Sequence, residues 1–159
     1  MDHIGTLNTL AQIAIALIGF SGIVVIFGDR FKRGWSDEES LQFYALLSAP
    51  ITIIFCSFIP EILSTLIDDS KTIWRISNAI IGVSHLSVFA YFIIKIKNAV
   101  FIQKLAGIAG AIVILAHFMA ALTIIPFLEF VFIVGLLHQL SVGIINFVLL
   151  FKPIKINEN

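Results

Sequence analysis

The chain has 159 residues, of which 59% are hydrophobic and only 13% are charged, and its formal net charge at pH 7 is zero. A soluble domain carries about 25% charged residues, so this composition excludes an ordinary water-soluble protein. A nucleic-acid surface is also excluded, because ten Lys and Arg residues are balanced by ten Asp and Glu residues and are spread over short segments. Cys56 is the only cysteine, so an intrachain disulfide or a zinc site of several cysteines cannot form.

Five apolar segments occupy nearly the whole chain, and each has roughly the 20 residues that a helix needs to cross a bilayer. They predict helices over residues 7–27, 41–67, 73–94, 105–125 and 130–151. The residues before the first segment lack a basic region, so we expect a retained helix rather than a signal peptide. The sequence therefore predicts an all-α integral membrane protein, with residues 1–159 forming a single domain, a bundle of five transmembrane helices.

Two local patterns indicate where predicted helices begin and turn. Ser36 and Glu39 are spaced as in a capping box, at the start of the second helix. Residues 105–151 are almost continuously apolar and would extend about 70 Å as one helix, more than twice the bilayer core. This stretch must fold back, and residues 126–129 are the only place where turn-forming residues interrupt it.

Lysine and arginine are sorted to alternate gaps between the predicted helices. Lys71 and Arg75 lie after the second helix, whereas the other eight follow the first, third and fifth helices: Arg30, Lys32, Arg33, Lys95, Lys97, Lys104, Lys152 and Lys155. Basic residues concentrate on the cytoplasmic side of membrane proteins. The pattern predicts an N-terminus outside the cell and a C-terminus in the cytoplasm.

Polar and small residues share one face on each of the last four predicted helices. Lipid provides no hydrophobic drive for helix pairing, so such faces are expected to point into the bundle. At 100° per residue, each face includes one ionisable residue within the apolar span, and amide residues lie on the same faces. The ionisable residues are Glu61, His85, His117 and His138, and the predicted polar lining is Asn78, Gln139 and Asn146.

The positions of the ionisable residues along the helices predict a polar column. His117 and His138 are equally distant from the middle of the 126–129 turn, which places both about 15 Å from it. His85 is expected a few ångströms deeper, and Glu61 nearer the outer surface. Ionisable groups within membrane spans are costly, which makes such a column a functional hypothesis.

Four interpretations of the histidines remain open at this stage. The imidazoles could simply bond neighbouring helices together. They could relay protons or pass a small cation, since histidine titrates near neutral pH. His117, His138 and His85 could bind a transition metal, or two of them could ligate a b-type haem. The sequence alone assigns no cofactor.

A separate ion pair is predicted between Glu61 and Arg75, which flank the turn between the second and third helices. Near the outer interface, such a pair would neutralise both charges. In a functional version of this hypothesis, Glu61 is a proton or cation site whose affinity Arg75 adjusts.

Residues 14–24 (AIALIGFSGIV), with the basic loop and Trp35 that follow them, resemble the opening of small multi-pass bacterial membrane proteins. The resemblance covers the first 45 residues and implies placement in the bacterial inner membrane. It brings no assigned activity and no functional residue.

These observations together favour a non-enzymatic membrane protein, since the sequence has no nucleophile–base pair, phosphate loop or dinucleotide fingerprint. We expect a homo-oligomeric channel or carrier for protons or small cations in the lipid bilayer, because five helices seldom enclose a wide aqueous pathway. One alternative is a membrane subunit or regulator that binds a partner protein. Another is a haem- or metal-binding redox protein.

Overall fold

The computed structural model describes residues 3–27, 35–95, 97 and 99–151. Within these ranges the regular secondary structure is five long α-helices, without any β-strand: α1 (His3–Phe27), α2 (Asp37–Ser64), α3 (Ser70–Lys95), α4 (Phe101–Ala121) and α5 (Leu128–Phe151). Each contains a segment long and apolar enough to cross a membrane. The predicted all-α fold with five potential spans is confirmed and is consistent with a multi-pass membrane protein.

Helix α5 lies at the centre of the packing and contacts all four other helices. Helix α1 packs against α2 and α5, while α4 packs against α3 and α5 on the other side. Helices α3, α4 and α5 therefore form a group in which each helix contacts the other two. The connections are short, so one end of the bundle carries the α2–α3 and α4–α5 turns, which we call the α2–α3 end. The opposite end carries the α3–α4 turn and is called the α3–α4 end.

The described basic residues are unevenly distributed between these ends. Lys95, Lys97 and Lys104 lie at the α3–α4 end, whereas Lys71 and Arg75 lie in the first two turns of α3, at the α2–α3 end. Which end faces the cytoplasm stays a prediction. The other basic residues of the sequence pattern lie outside the described residues: Arg30, Lys32, Arg33, Lys152 and Lys155.

The outer surface of the bundle is apolar and its interior contains both apolar and polar side chains. Phe55, Ile94 and Phe101 are more than two-thirds exposed on the isolated chain. Lipid chains would cover such residues in a bilayer. Phe132 and Leu136 of α5 are fully buried, and they belong to a core cluster that also includes residues of α1, α2, α3 and α4.

The start of α2 has the predicted capping box. The backbone N–H of Ser36 donates to the Glu39 carboxylate at 3.0 Å, and the Glu39 N–H donates to the Ser36 hydroxyl oxygen at 3.2 Å. The helix begins at Asp37, four residues before the predicted position. Acidic residues in a first helical turn interact favourably with its unpaired N–H groups, so this polar turn is helical although it is not apolar.

The end of α4 differs from the prediction, because the helix stops at Ala121 rather than at residue 125. The N–H of Thr123 donates to the Ala120 carbonyl and the N–H of Ile124 to the Met119 carbonyl, each at 2.9 Å. This pair of bonds is a Schellman motif, which ends a helix by satisfying its last carbonyls. Thr123 has a φ of 59°, a left-handed conformation in which glycine is usual. An apolar run alone therefore did not reveal this helix end.

Helix α3 begins at Ser70, three residues before the predicted position. The Asp69 carboxylate accepts hydrogen bonds from the Thr72 hydroxyl and from the backbone N–H groups of Thr72 and Lys71. These bonds stabilise the first turn of the helix. They also hold the pKa of the exposed Asp69 below its usual value, with the Thr72 hydroxyl as the main cause.

Candidate functional site

Three histidines from three different helices meet inside the bundle. His85 of α3 lies between His117 of α4 and His138 of α5, with ring centroids 5.2 Å and 5.7 Å away, respectively. His85 and His117 are buried, and His138 is partly buried. We call these three side chains the histidine cluster.

Asn78 of α3 fixes the orientation of His117. The Asn78 side-chain nitrogen donates to the carbonyls of Trp74, at 2.8 Å, and Leu128, at 2.9 Å, which uses both of its hydrogens. Its side-chain oxygen lies 2.9 Å from Nδ1 of His117 and can only accept, so Nδ1 of His117 must donate. Neutral His117 therefore carries its hydrogen on Nδ1 and a lone pair on Nε2.

Glycines on two helices make room for the His117 ring. A Cβ built at Gly82 of α3 would lie 3.2 Å from the His117 Cβ. A Cβ built at Gly135 of α5 would overlap Nε2 and Cε1 of the His117 imidazole. The His117 ring thus packs against the α5 backbone, and position 135 has room for it because glycine has no Cβ.

His138 has a different hydrogen-bond partner and the opposite tautomer. Its Nε2 lies 3.1 Å from the backbone carbonyl of Ala106 on α4. A carbonyl can only accept, so Nε2 of neutral His138 carries the hydrogen and Nδ1 has the lone pair. The same ring edge lies close to α4, since a Cβ at Gly110 would be 3.1 Å from the His138 Cε1.

The cluster contains more ring nitrogens than hydrogen-bond partners. Nε2 of His117, Nδ1 of His138 and both ring nitrogens of His85 are buried and have no hydrogen-bond partner among the described residues. Leaving a polar atom buried and unpaired costs about 1–3 kcal/mol. Four such atoms on three neighbouring rings therefore exceed what side chains that serve only to join helices require.

A partly enclosed cavity of about 70 Å³ extends from His85 and His138 toward the α3–α4 end. Gln139 and Asn146, predicted to line the interior, are both on its wall. The side-chain oxygen of Asn146 accepts a 2.6 Å hydrogen bond from the side-chain nitrogen of Gln103. The Gln139 side chain is buried, and its amide has no side-chain partner in the described part of the chain. Among the described residues, none with a charged side chain lines this cavity.

The cluster is open on one side and closed on the other. Toward the α3–α4 end, the cavity reaches Tyr44 of α2 and Tyr91 of α3, whose rings are 3.9 Å apart. Toward the α2–α3 end, the Asn78 hydrogen bonds are followed by Trp74 and the fully buried Phe132, with ring centroids 5.6 Å apart. Among the described residues, the cavity next to the histidines therefore extends toward the α3–α4 end and not toward the α2–α3 end.

The structure does not bring Glu61 to the histidine cluster. Its side chain is exposed and lines a separate cavity of about 360 Å³, together with Asn8, Ser57 and other residues of α1, α2 and α3. Arg75 is also exposed, and its Nε donates to the Ala121 carbonyl at 3.1 Å. No Glu61–Arg75 ion pair is found between these two described residues, so the pair stays a prediction.

A metal or haem receives no geometric support at the cluster. Within the described ranges, no three His, Cys, Asp or Glu side chains are arranged to hold a metal ion. The hypothesis that His85, His117 and His138 bind a metal gains no support from this geometry and stays a prediction. Haem would need room for a porphyrin between two imidazoles, and the adjoining cavity of about 70 Å³ is smaller than the roughly 150 Å³ that accommodates benzene.

Sequence reasoning missed two features of the site. The carbonyl of Ala106 and the open backbone of Gly135 both hold an imidazole in place, yet neither carries a functional side chain. Their only signal was a position on the small-residue faces of the predicted helices. The contact between the rings of Tyr44 and Tyr91 was not foreseen either.

Comparison of the chain with protein-family models, with curated proteins and with solved structures finds no match. The function must therefore be argued from the chemistry of the cluster and its surroundings.

Replacing Gly135 by Ala is expected to destabilise the protein, because the added Cβ would overlap the His117 ring. Overpacking of this kind costs about 1–3 kcal/mol. Gly22→Ala is the matched control, since a Cβ there meets nothing within 4 Å and alanine favours a helix. Thermal unfolding in detergent should show a lower midpoint for Gly135→Ala only. Equal midpoints for the two variants would contradict the seating of His117 on α5.

Proposed function

We propose that the protein transports protons across the membrane through the histidine cluster, without converting a substrate into a product. The observation that carries this proposal is the set of four unpartnered ring nitrogens on three neighbouring imidazoles. An imidazole can both accept and release a proton near neutral pH. Free nitrogens on adjacent rings are what a transferred proton needs, whereas helix-joining histidines would have their nitrogens bonded.

The absence of a carboxylate favours protons over other cations. Hard cations such as Ca²⁺ or Mg²⁺ are bound by oxygen ligands, commonly carboxylates. Among the described residues that line the cavity, none is acidic, and Glu61 faces a different cavity. A proton needs no such ligand set, because it is carried as a covalent N–H bond on the ring. Small cations remain the alternative substrate.

The one-sided cavity supports a pathway in two parts. Protons enter from the α3–α4 end along the wall formed by Gln139 and Asn146 and reach His85. Passage to the α2–α3 end then requires a change at Asn78 and the Trp74–Phe132 contact, which close that side. Following the basic-residue pattern, we place the α3–α4 end in the cytoplasm of a bacterial inner-membrane protein.

A stripe on the outer face of α1 supports assembly into a homo-oligomer. Gln12, Ala16 and Gly19 are exposed and spaced to share one helix face. The Gln12 amide has no partner in the described part of the chain, although it lies near the middle of the span Ile4–Ile23. An amide facing lipid is costly, and a second copy of α1 could pair with it while Gly19 permits close approach.

Proton flux into proteoliposomes tests the transport proposal. With an imposed membrane potential and an internal pH dye, wild-type protein is expected to pass protons, and His85→Ala to reduce the flux by about tenfold or more. Ser87→Ala is the control, because Ser87 lies on the same helix but is exposed, and its hydroxyl donates to the Val83 carbonyl of that helix. Unchanged flux in His85→Ala, or wild-type flux no higher than that of empty vesicles, would refute the proposal. Sodium or potassium flux of equal size would select the small-cation alternative.

Replacing Gly19 by Leu is expected to dissociate the oligomer, since a large side chain would keep the α1 helices apart. Gln12→Leu should weaken the assembly as well by removing the paired amides. Ile13→Leu is the control, because Ile13 is also exposed but lies on a different face of α1 from Gln12 and Gly19. Subunit counting by single-molecule photobleaching in nanodiscs gives the oligomeric state. Wild-type protein that is monomeric would exclude the homo-oligomer, and a stable complex with another membrane protein would favour the partner-subunit alternative.

A further inference from the structure

We infer that the histidine cluster is a binding site for a single proton, held on His85 between two fixed acceptors, His117 and His138. This inference rests on the proposed function and specifies which ring carries the charge. It follows from the two neutral tautomers that the surroundings impose, and from His85 having no hydrogen-bond partner among the residues that the structure describes.

The first acceptor is Nε2 of His117. Asn78 donates both of its amide hydrogens to the Trp74 and Leu128 carbonyls, so its oxygen accepts the Nδ1–H of His117. If the amide were turned the other way, its oxygen would face two carbonyl oxygens and both bonds would be lost. Asn78 thus acts as a positioning residue that keeps the lone pair on Nε2, which is buried and unpartnered.

The second acceptor is Nδ1 of His138. The Ala106 carbonyl takes the Nε2–H of this ring, which leaves the lone pair on Nδ1, again buried and unpartnered. His117 and His138 are therefore held in opposite tautomers by groups that do not titrate, an amide and a backbone carbonyl. Each ring presents one lone pair, and neither can take a second hydrogen on its bonded nitrogen.

His85 lies between these two acceptors and can supply the N–H donors that they need. Its centroid lies 5.2 Å from His117 and 5.7 Å from His138, close to the roughly 5 Å expected for imidazoles joined by an N–H···N bond. Neutral His85 has one hydrogen and can satisfy only one acceptor. Protonated His85 has two N–H groups, one for each acceptor, and bonding both would leave no ring nitrogen of the cluster unpaired.

The remaining neighbours of His85 provide no counter-charge. Tyr44 of α2 and Tyr91 of α3 are the other titratable groups on the wall of its cavity. Cys56 of α2 is hydrogen-bonded to Ser84, the residue that precedes His85 in the sequence. The described lining contains no Asp, Glu, Lys or Arg. The two N–H···N bonds are thus the interactions that offset the desolvation of the charged ring, and a second proton would have neither bond nor counter-ion.

Histidine side-chain ¹⁵N NMR tests this site directly in protein reconstituted in nanodiscs. A His3→Gln background leaves only the three cluster imidazoles, and single His→Gln variants assign their signals. At high pH, His117 is expected as the Nδ1–H tautomer and His138 as the Nε2–H tautomer. On acidification, His85 should be the first ring to become doubly protonated, with one proton bound per chain over that transition.

Removing an acceptor should weaken the site by a measurable factor. His138→Gln is expected to lower the proton affinity of His85 by about tenfold, because one hydrogen bond to a charged group is lost. Ser87→Ala is again the control and should leave the titration unchanged. Asn78→Ala should release His117 to a mixture of tautomers, which a purely structural role of Asn78 in helix packing would not produce.

Finding His117 as the Nε2–H tautomer or His138 as the Nδ1–H tautomer would overturn this inference, and so would a first protonation at His117 or His138. The wild-type spectrum alone decides it even if a variant fails to fold. The proposed function fails separately. Absence of proton flux with the expected tautomers would leave a proton-binding site without transport. Proton flux with a different protonated ring would leave transport and remove the assignment to His85.

Discussion

The arrangement of α3, α4 and α5 depends on the hydrogen bonds that the side-chain amide of Asn78 makes. Inside a bilayer, polar groups find partners only within the protein. One amide here bonds a carbonyl of its own helix, a carbonyl at the start of α5 and the imidazole of His117 on α4. It sets the tautomer of His117, holds that ring over Gly135 and closes the cluster toward the α2–α3 end.

The cluster has ring nitrogens that are bonded to other helices and ring nitrogens that are not, and this difference reconciles the proposed proton transport with a role in holding the bundle together. His117 and His138 are each tied to a neighbouring helix by one ring nitrogen. Their second nitrogens, and both nitrogens of His85, have no partner in the described part of the chain. In His117 and His138, one ring nitrogen holds a neighbouring helix and the other is free to exchange a proton. Proton exchange therefore need not break the contacts between helices.

The helix count and the three histidines could be predicted because they depend on simple periodicities. Span length identifies the helices, and positions at 100° per residue place His85, His117 and His138 on faces with small residues. The turn at residues 126–129 also gave His117 and His138 similar depths. The structure then brings both rings to His85.

Features that depend on helix rotation and on the backbone could not be predicted in this way. Glu61 lies on a polar stripe of α2, yet that face borders α1 and the start of α3 rather than the cluster. The end of α4 depends on the left-handed Thr123, a conformation that residue type does not reveal. The Ala106 carbonyl and the bare backbone of Gly135 have no side-chain signal at all, although they hold two of the three rings.

A double-mutant cycle on Asn78 and His117 tests the central interaction most directly. The free energy of unfolding would be measured in mixed micelles for wild type, Asn78→Ala, His117→Ala and the double variant. A direct hydrogen bond between the two side chains predicts a coupling energy of about 1 kcal/mol. Additive losses, within about 0.3–0.5 kcal/mol, would show that the two residues do not interact and would contradict this account of the cluster.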